Sequence, residues 1–175
     1  MTDRTLIYFS ILLAAIAVFT SFCAEARPVL NLHIGSYHDG PGYWSAETRE
    51  FTEFNESNPG LGLGWTFNEH LEIRGGGYKN SHHKNSFYLA GAAYTSTARL
   101  VSIGLVAGAL TGYKDTVLHA NPTPENPEIN YAAVQPFAMP VVLFNTGPVR
   151  TEIGYMPSFI NGTYSVFTFT TGVQF

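Results

Sequence analysis

Thiol chemistry is nearly missing from this 175-residue chain, since Cys23 is its only cysteine. One cysteine makes no disulfide framework, and because Cys23 lies in the N-terminal segment expected to be cleaved off, the mature chain is expected to have no thiol chemistry either. Charge is scarce too: charged residues make up 13% of the chain against 14% aromatics, and a formal net charge of −4 leaves no basic surface for nucleic acid. That balance covers a water-facing surface poorly and suits one that faces lipid. Beyond residue 26 there is no apolar run of the ~20 residues that a membrane helix needs. If the chain crosses a membrane, it does so as strands.

The one long apolar run lies at the N-terminus. Arg4 precedes Leu6 to Phe22, and the small-residue pattern Ala24-Glu25-Ala26 follows, which predicts a secretory signal peptide over 1–26 and a single domain over 27–175. An acylated Cys23 is the competing reading, but Phe22 is too bulky for the residue before such a cysteine.

Within 27–175, segments of about ten residues alternate between two faces and are separated by turn signals. They begin with "VLNLHIGSY" at Val29, "GLGLGWTF" at Gly60, "LEIRGGGY" at Leu71 and "SFYLAGAAY" at Ser86. "LVSIGLVAGALTGY" at Leu100, "VQPFAMPVVLF" at Val134, "VRTEIGY" at Val149 and "SVFTFTTGVQF" at Ser165 complete the set. Their connections alternate as well, with long or medium ones at 38–59, 80–85, 114–133 and 156–164 and short ones between. An even number of strands, long loops on one rim and tight turns on the other predict an all-β fold, an eight-stranded antiparallel barrel of the bacterial outer membrane. A soluble barrel should carry a polar outer face. Here that face is Leu61, Leu63, Trp65 and Phe67 on one strand, Val101, Ile103 and Leu105 on another, and Phe167, Phe169, Val173 and Phe175 on the last.

The opposite parity describes the interior. Glu72, Arg74, Arg150 and Glu152 point inward near the tight-turn end, which predicts an ion-pair plug there. Higher up, Gly60 and Gly62 on the second strand, Gly76 on the third, and Gly104 and Gly108 on the fifth supply almost no volume. They predict an open, apolar upper cavity with room for a ligand; the alternative is that they only relieve crowding and bend strands. On the first strand Asn31, His33, Gly35 and Tyr37 are expected to face in. The polar stretch "YKNSHHKNS" then belongs to a loop at the outer rim, within reach of an inward imidazole.

Several of these stretches resemble the lipid A palmitoyltransferase (PagP) family. The likeness covers most of 27–175 and shows in "RPVLNLH", "NPGLGLGW", "GYKNS", "GLVAGALTGY", "QPFAMPVVLF", "TGPVRTEIGYMP" and the final "VQF". It implies an eight-stranded outer-membrane enzyme that moves an acyl chain from a phospholipid donor to lipid A or a related glycolipid. It implies no cofactor and no metal, and as partners only membrane lipids and the outer-membrane assembly machinery, the protein itself being a monomer. By this match His33 and Ser81 take the places of the family's essential histidine and serine, and Asn80 stands where the family has an aspartate. An amide cannot stabilise an imidazolium as a carboxylate can. The family's helix before the first strand has no counterpart between Arg27 and Val29. Its floor residue, which limits how far an acyl chain descends, falls on Ala93 or, with a one-residue gap, on Ala92. A methyl there implies a donor chain slightly shorter than palmitate.

The chemistry is coherent without the family. Acyl transfer needs a base to take a proton from a hydroxyl and donors to hold the oxyanion. His33 suits the first role, Ser81 that of nucleophile or positioning hydroxyl, and Asn80 that of oxyanion donor; ordinary structural roles are the alternative for each. Adjacent His82 and His83 point apart in a loop and make a poor metal site even with His38, His70 and His119 elsewhere. Pro136 and Pro140 remove ladder donors from the sixth strand, a gap through which a lipid tail could enter sideways. A non-catalytic barrel whose rim loops serve adhesion, surface masking or phage exclusion is the second expectation, and Asn80 favours it.

Overall fold

A computed structural model describes residues 26–45, 50–98, 100–113, 133–157 and 164–175. The expected signal peptide and much of the loops at 114–133 and 156–164 lie outside these. Ten strands follow in chain order: β1 Arg27–His38, β2 Gly42–Ser45, β3 Glu50–Glu53, β4 Ser57–Thr66, β5 Leu71–Lys79, β6 Asn85–Ala98, β7 Val101–Thr111, β8 Val134–Thr146, β9 Val149–Met156 and β10 Val166–Gln174. Eight of them close into an antiparallel barrel in the order β1-β10-β9-β8-β7-β6-β5-β4. Because β1 pairs with both β4 and β10, the sheet has no free edge there. The other two strands, β2 and β3, form a separate hairpin within the segment read from sequence as a plain loop.

The two-residue period decides which side chains meet the interior. On β4, Leu61, Leu63 and Trp65 are exposed while Gly62, Gly64 and Thr66 are buried; on β7, Ile103 and Leu105 are exposed while Ser102 and Val106 are buried. Leu32, Ile34, Ile73, Phe87, Leu89, Val149, Phe167 and Val173 continue the exposed apolar surface around the other strands. So much apolar surface facing outward is costly in water and favourable in hydrocarbon.

Near the tight-turn end the interior is filled by charge. Arg74 donates to both carboxylate oxygens of Glu152 at 2.7 and 3.1 Å, and the Tyr94 hydroxyl donates to the same carboxylate at 2.8 Å. Arg150 meets Glu72 at 2.8 Å, a charge contact rather than an aligned hydrogen bond. This layer spans β5, β6 and β9 and forms the expected plug.

The parity of β1 changes at Ile34. His33 pairs with Thr170 and Gly60, the next pairs are Gly35 with Phe169 and with Ser57, and Ile34 is left over as a bulge. One extra residue reverses every side chain beyond it. Tyr37, expected to face in, is therefore 55% exposed on the outer wall, while His38 is buried. A close backbone approach accompanies the bulge: the Ser36 amide donates to the Glu56 carbonyl at 2.9 Å, and a Cβ at Gly35 would lie 2.6 Å from that carbonyl oxygen.

Candidate functional site

Above the ion-pair layer lies a cavity of about 150 Å³. Its apolar wall includes Val106, Leu110, Phe137 and Met139, from β7 and β8. Its polar wall includes His33, Ser36, Asn58, Tyr78, Ser81, His82 and Tyr88, and Arg74 and Glu152 reach it from below. A ligand here meets hydrocarbon on one side and hydroxyls, amides and imidazoles on the other.

The glycines do not line this space as expected. A Cβ on Gly60 would collide with Tyr78, and one on Gly62 with the Tyr88 hydroxyl. One on Gly76 would meet the Leu61 carbonyl and, at 3.0 Å, the Tyr88 ring. One on Gly104 would meet Tyr94 at 2.6 Å, and one on Gly108 Ala90 at 2.6 Å. The volume they give up is taken by tyrosines and by neighbouring strands that approach closely. These glycines relieve crowding, and the open space lies beside other residues, with Phe137 and Met139 of β8 and Thr168 and Thr170 of β10 among its lining. Ala93 also needs correction: it is exposed on the outer face, whereas its neighbour Ala92 is buried inside. Parity puts Ala90, Ala92 and Tyr94 on one side of β6 and Ala93 on the other.

His33 projects from β1 just before the bulge. Its Nε2 lies 2.9 Å from the Tyr88 hydroxyl and its Nδ1 3.3 Å from that of Thr170. A neutral imidazole has one donor and one acceptor nitrogen, so one hydroxyl donates to the ring and the other accepts from it. The ring also packs edge-on against Tyr88 and tilted against Tyr78. Ser81 is buried in the rim loop and shares a hydrogen bond with Tyr113, which is bonded in turn to Tyr78. His33 and Ser81 thus line one cavity, joined through two tyrosines, and their nearest partners are other hydroxyls.

Asn80 is fully buried and holds the rim loop together. Its Oδ1 accepts from the backbone amides of His82 (3.0 Å) and Lys84 (2.8 Å); its Nδ2 donates to Ser86 Oγ (3.0 Å) and to the Gly112 carbonyl (2.9 Å). Both amide hydrogens are committed, so the role of oxyanion donor read from sequence does not fit this geometry. His83 takes φ +58 in the same turn and points outward, which turns His82 inward. His119 lies outside the described residues.

Sequence reasoning missed an aromatic roof. Rings of His38 and Phe54 stack at 4.1 Å, those of Tyr43 and His82 at 4.1 Å, and Phe54 lies 6.0 Å from His82. Tyr43, from the unexpected hairpin, donates to the His82 carbonyl at 3.3 Å. Burial holds the His82 imidazole neutral, its pKa lowered to about 3 with His38 and Lys84 adding to the shift. The bulge was the missing signal for His38, because strict alternation sends that side chain outward.

No protein-family model and no curated protein matches the sequence. Among solved structures, the barrel is similar to a de novo designed transmembrane β-barrel, with a TM-score of 0.52 at 11% identity over 85% of this chain and 95% of the other. The N-terminal β-barrel domain of Pseudomonas aeruginosa OprF (TM-score 0.44, 12% identity, 85% of this chain and 97% of that one) is also similar. So is Ail, the attachment invasion locus protein of Yersinia pestis, solved with the heparin analogue sucrose octasulfate (0.42, 13%, 86% and 97%). The fold is that of an eight-stranded transmembrane β-barrel. Its apolar outer wall and single closed sheet give it the architecture of a bacterial outer-membrane protein.

Proposed function

We propose that this outer-membrane barrel transfers an acyl chain from a phospholipid to lipid A or a related glycolipid, as the resemblance to the lipid A palmitoyltransferases implies. The observation that carries the reading is the two-sided cavity: His33 and Ser81 share its polar wall, and Val106, Leu110, Phe137 and Met139 offer an acyl chain a path along the other. In the reaction the acceptor's hydroxyl oxygen attacks the ester carbonyl and His33 takes the hydroxyl proton. The bond to the glycerol oxygen then breaks, and His33 returns the proton to that oxygen as it leaves. Ser81, held by Tyr113, orients the hydroxyl or the carbonyl. Tyr88 and Thr170 fix the imidazole ring between them. Entry from the side is supported by β8: its pairing with β9 runs only from Val141 to Thr146, and Pro136 and Pro140 lie in the stretch with no β9 partner among the described residues.

The second reading, a non-catalytic barrel acting through its rim, draws on Asn80. That position offers neither a carboxylate to His33 nor a free amide to an oxyanion. Mass spectrometry of lipid A from cells with and without the protein separates the two. An added acyl chain that depends on His33 and Ser81 is expected, with His33→Ala and Ser81→Ala each losing at least about a hundredfold in transfer. Unchanged lipid A leaves the rim reading, and wild-type transfer by both variants rules out His33 and Ser81 as the groups that carry the reaction.

A further inference from the structure

Three polar atoms at the upper end of the cavity have no hydrogen-bond partner among the described residues: His38 Nδ1, His82 Nδ1 and Gln135 Nε2. All three residues line the cavity. His38 is 6% exposed and His82 3%, and the Gln135 amide nitrogen is itself buried. Buried polar groups in folded proteins are nearly always paired, because leaving one unpaired costs about 1–3 kcal/mol. Three at one level of one cavity make a shared explanation more economical than three separate ones.

Their placement is built in. His38 faces in because of the Ile34 bulge, and His82 because Asn80 accepts its backbone amide. Gln135 stands opposite Leu110 in the β7–β8 ladder, on the inward side with Phe137 and Met139. Phe54 lies between the two imidazoles and holds both by stacking.

We infer that His38, His82 and Gln135 form a head-group subsite for a single-chain amphiphile, its oxygen-bearing head at the rim and its chain against Val106, Phe137 and Met139. The Gln135 nitrogen can only donate, so the head must offer an acceptor oxygen. Each imidazole, neutral, gives either a donor or an acceptor and tolerates an ester, a hydroxyl or a carboxylate. A fully apolar ligand leaves all three groups unpaired, and a fully polar one wastes the β7–β8 wall. This deepens the acyl-transfer reading by giving the lipid a polar anchor distinct from His33, and it holds even if no transfer occurs.

The shared chemistry, an acyl chain with acceptor oxygens, is met by a lysophospholipid and by a free fatty acid. Native mass spectrometry of the full barrel released from micelles, with lauroyl lysophosphatidylcholine or laurate added, distinguishes them. The wild type should retain one or both. His82→Phe, which keeps the stack on Tyr43, and Gln135→Met, which keeps the volume, should each bind about tenfold more weakly, the scale of one or two buried hydrogen bonds. Heat-dependent gel mobility, the shift on boiling typical of folded barrels, should be unchanged in both, so that weaker binding is not misfolding. Retention of neither probe by the wild type overturns the subsite, as does retention by both variants at the wild-type level. His33→Ala should still bind while losing transfer. Anchored lipid without transfer in the wild type would refute the enzymatic reading alone.

Discussion

Replacing Asn80 by aspartate exchanges two hydrogen-bond donors for a charge. The Gly112 carbonyl, now receiving from Nδ2 at 2.9 Å, would face a carboxylate oxygen, although Ser86 can rotate its hydroxyl to donate. The two bonds into Oδ1 survive. The net effect of Asn80→Asp should be a loss of about 1–3 kcal/mol in unfolding stability, with no gain in acyl transfer. Urea titration in micelles alongside a transfer assay checks both, and a more active, equally stable variant would restore the position to the catalytic site. The sequence shows that this loop is polar and at the rim; it does not show which polar atom is already taken. Spacing located Asn80 next to Ser81, whereas its four hydrogen bonds depend on where β6 and β7 end.

At the scale of the element, alternation was the readable signal. It works because a barrel strand has only two faces and they meet opposite solvents, so a period of two carries both strand and direction. All eight barrel strands and the charged plug were legible in this way. What failed were departures from the period. The Ile34 bulge changes no composition, yet it reverses Tyr37 and His38, and the four-residue hairpin strands are too short to show a period. The choice of Ala93 over Ala92 followed the ungapped match to the family rather than parity, and the pleat decided otherwise. The plug also yields a quantitative expectation. Arg74→Met should destabilise the barrel by about 3–5 kcal/mol, because Glu152 stays buried and loses both of its guanidinium bonds. Arg74→Met combined with Glu152→Leu should recover most of that loss, since a matched apolar pair leaves no uncompensated charge. Equal loss in the single and double variants would mean that packing, not charge, sets the cost.

For the whole molecule, the roof couples the barrel mouth to pH. His82 is buried among Tyr43, Phe54 and Tyr113, with His38, Lys84 and His83 as the titratable neighbours that disfavour a charge on it. Its pKa in the folded protein is about 3 against an ordinary 6.5, so the folded state binds a proton less readily than the unfolded one. Above pH 6.5 both states are neutral and His82 contributes its full packing. As pH falls from 6.5 towards 3, the unfolded state takes up the proton and the folded state does not. Stability is then lost at up to about 1.4 kcal/mol per pH unit. Other groups of the protein also take up protons as the pH falls, which is why the informative quantity is a difference between proteins. Subtracting the pH profile of His82→Phe from that of the wild type should remove the background common to both and leave a slope that begins near pH 6.5. Unfolding followed by heat-dependent gel mobility at graded pH measures it. Parallel profiles for the two proteins would show that the imidazole leaves its stack before it titrates, and that the mouth opens without the rest of the barrel.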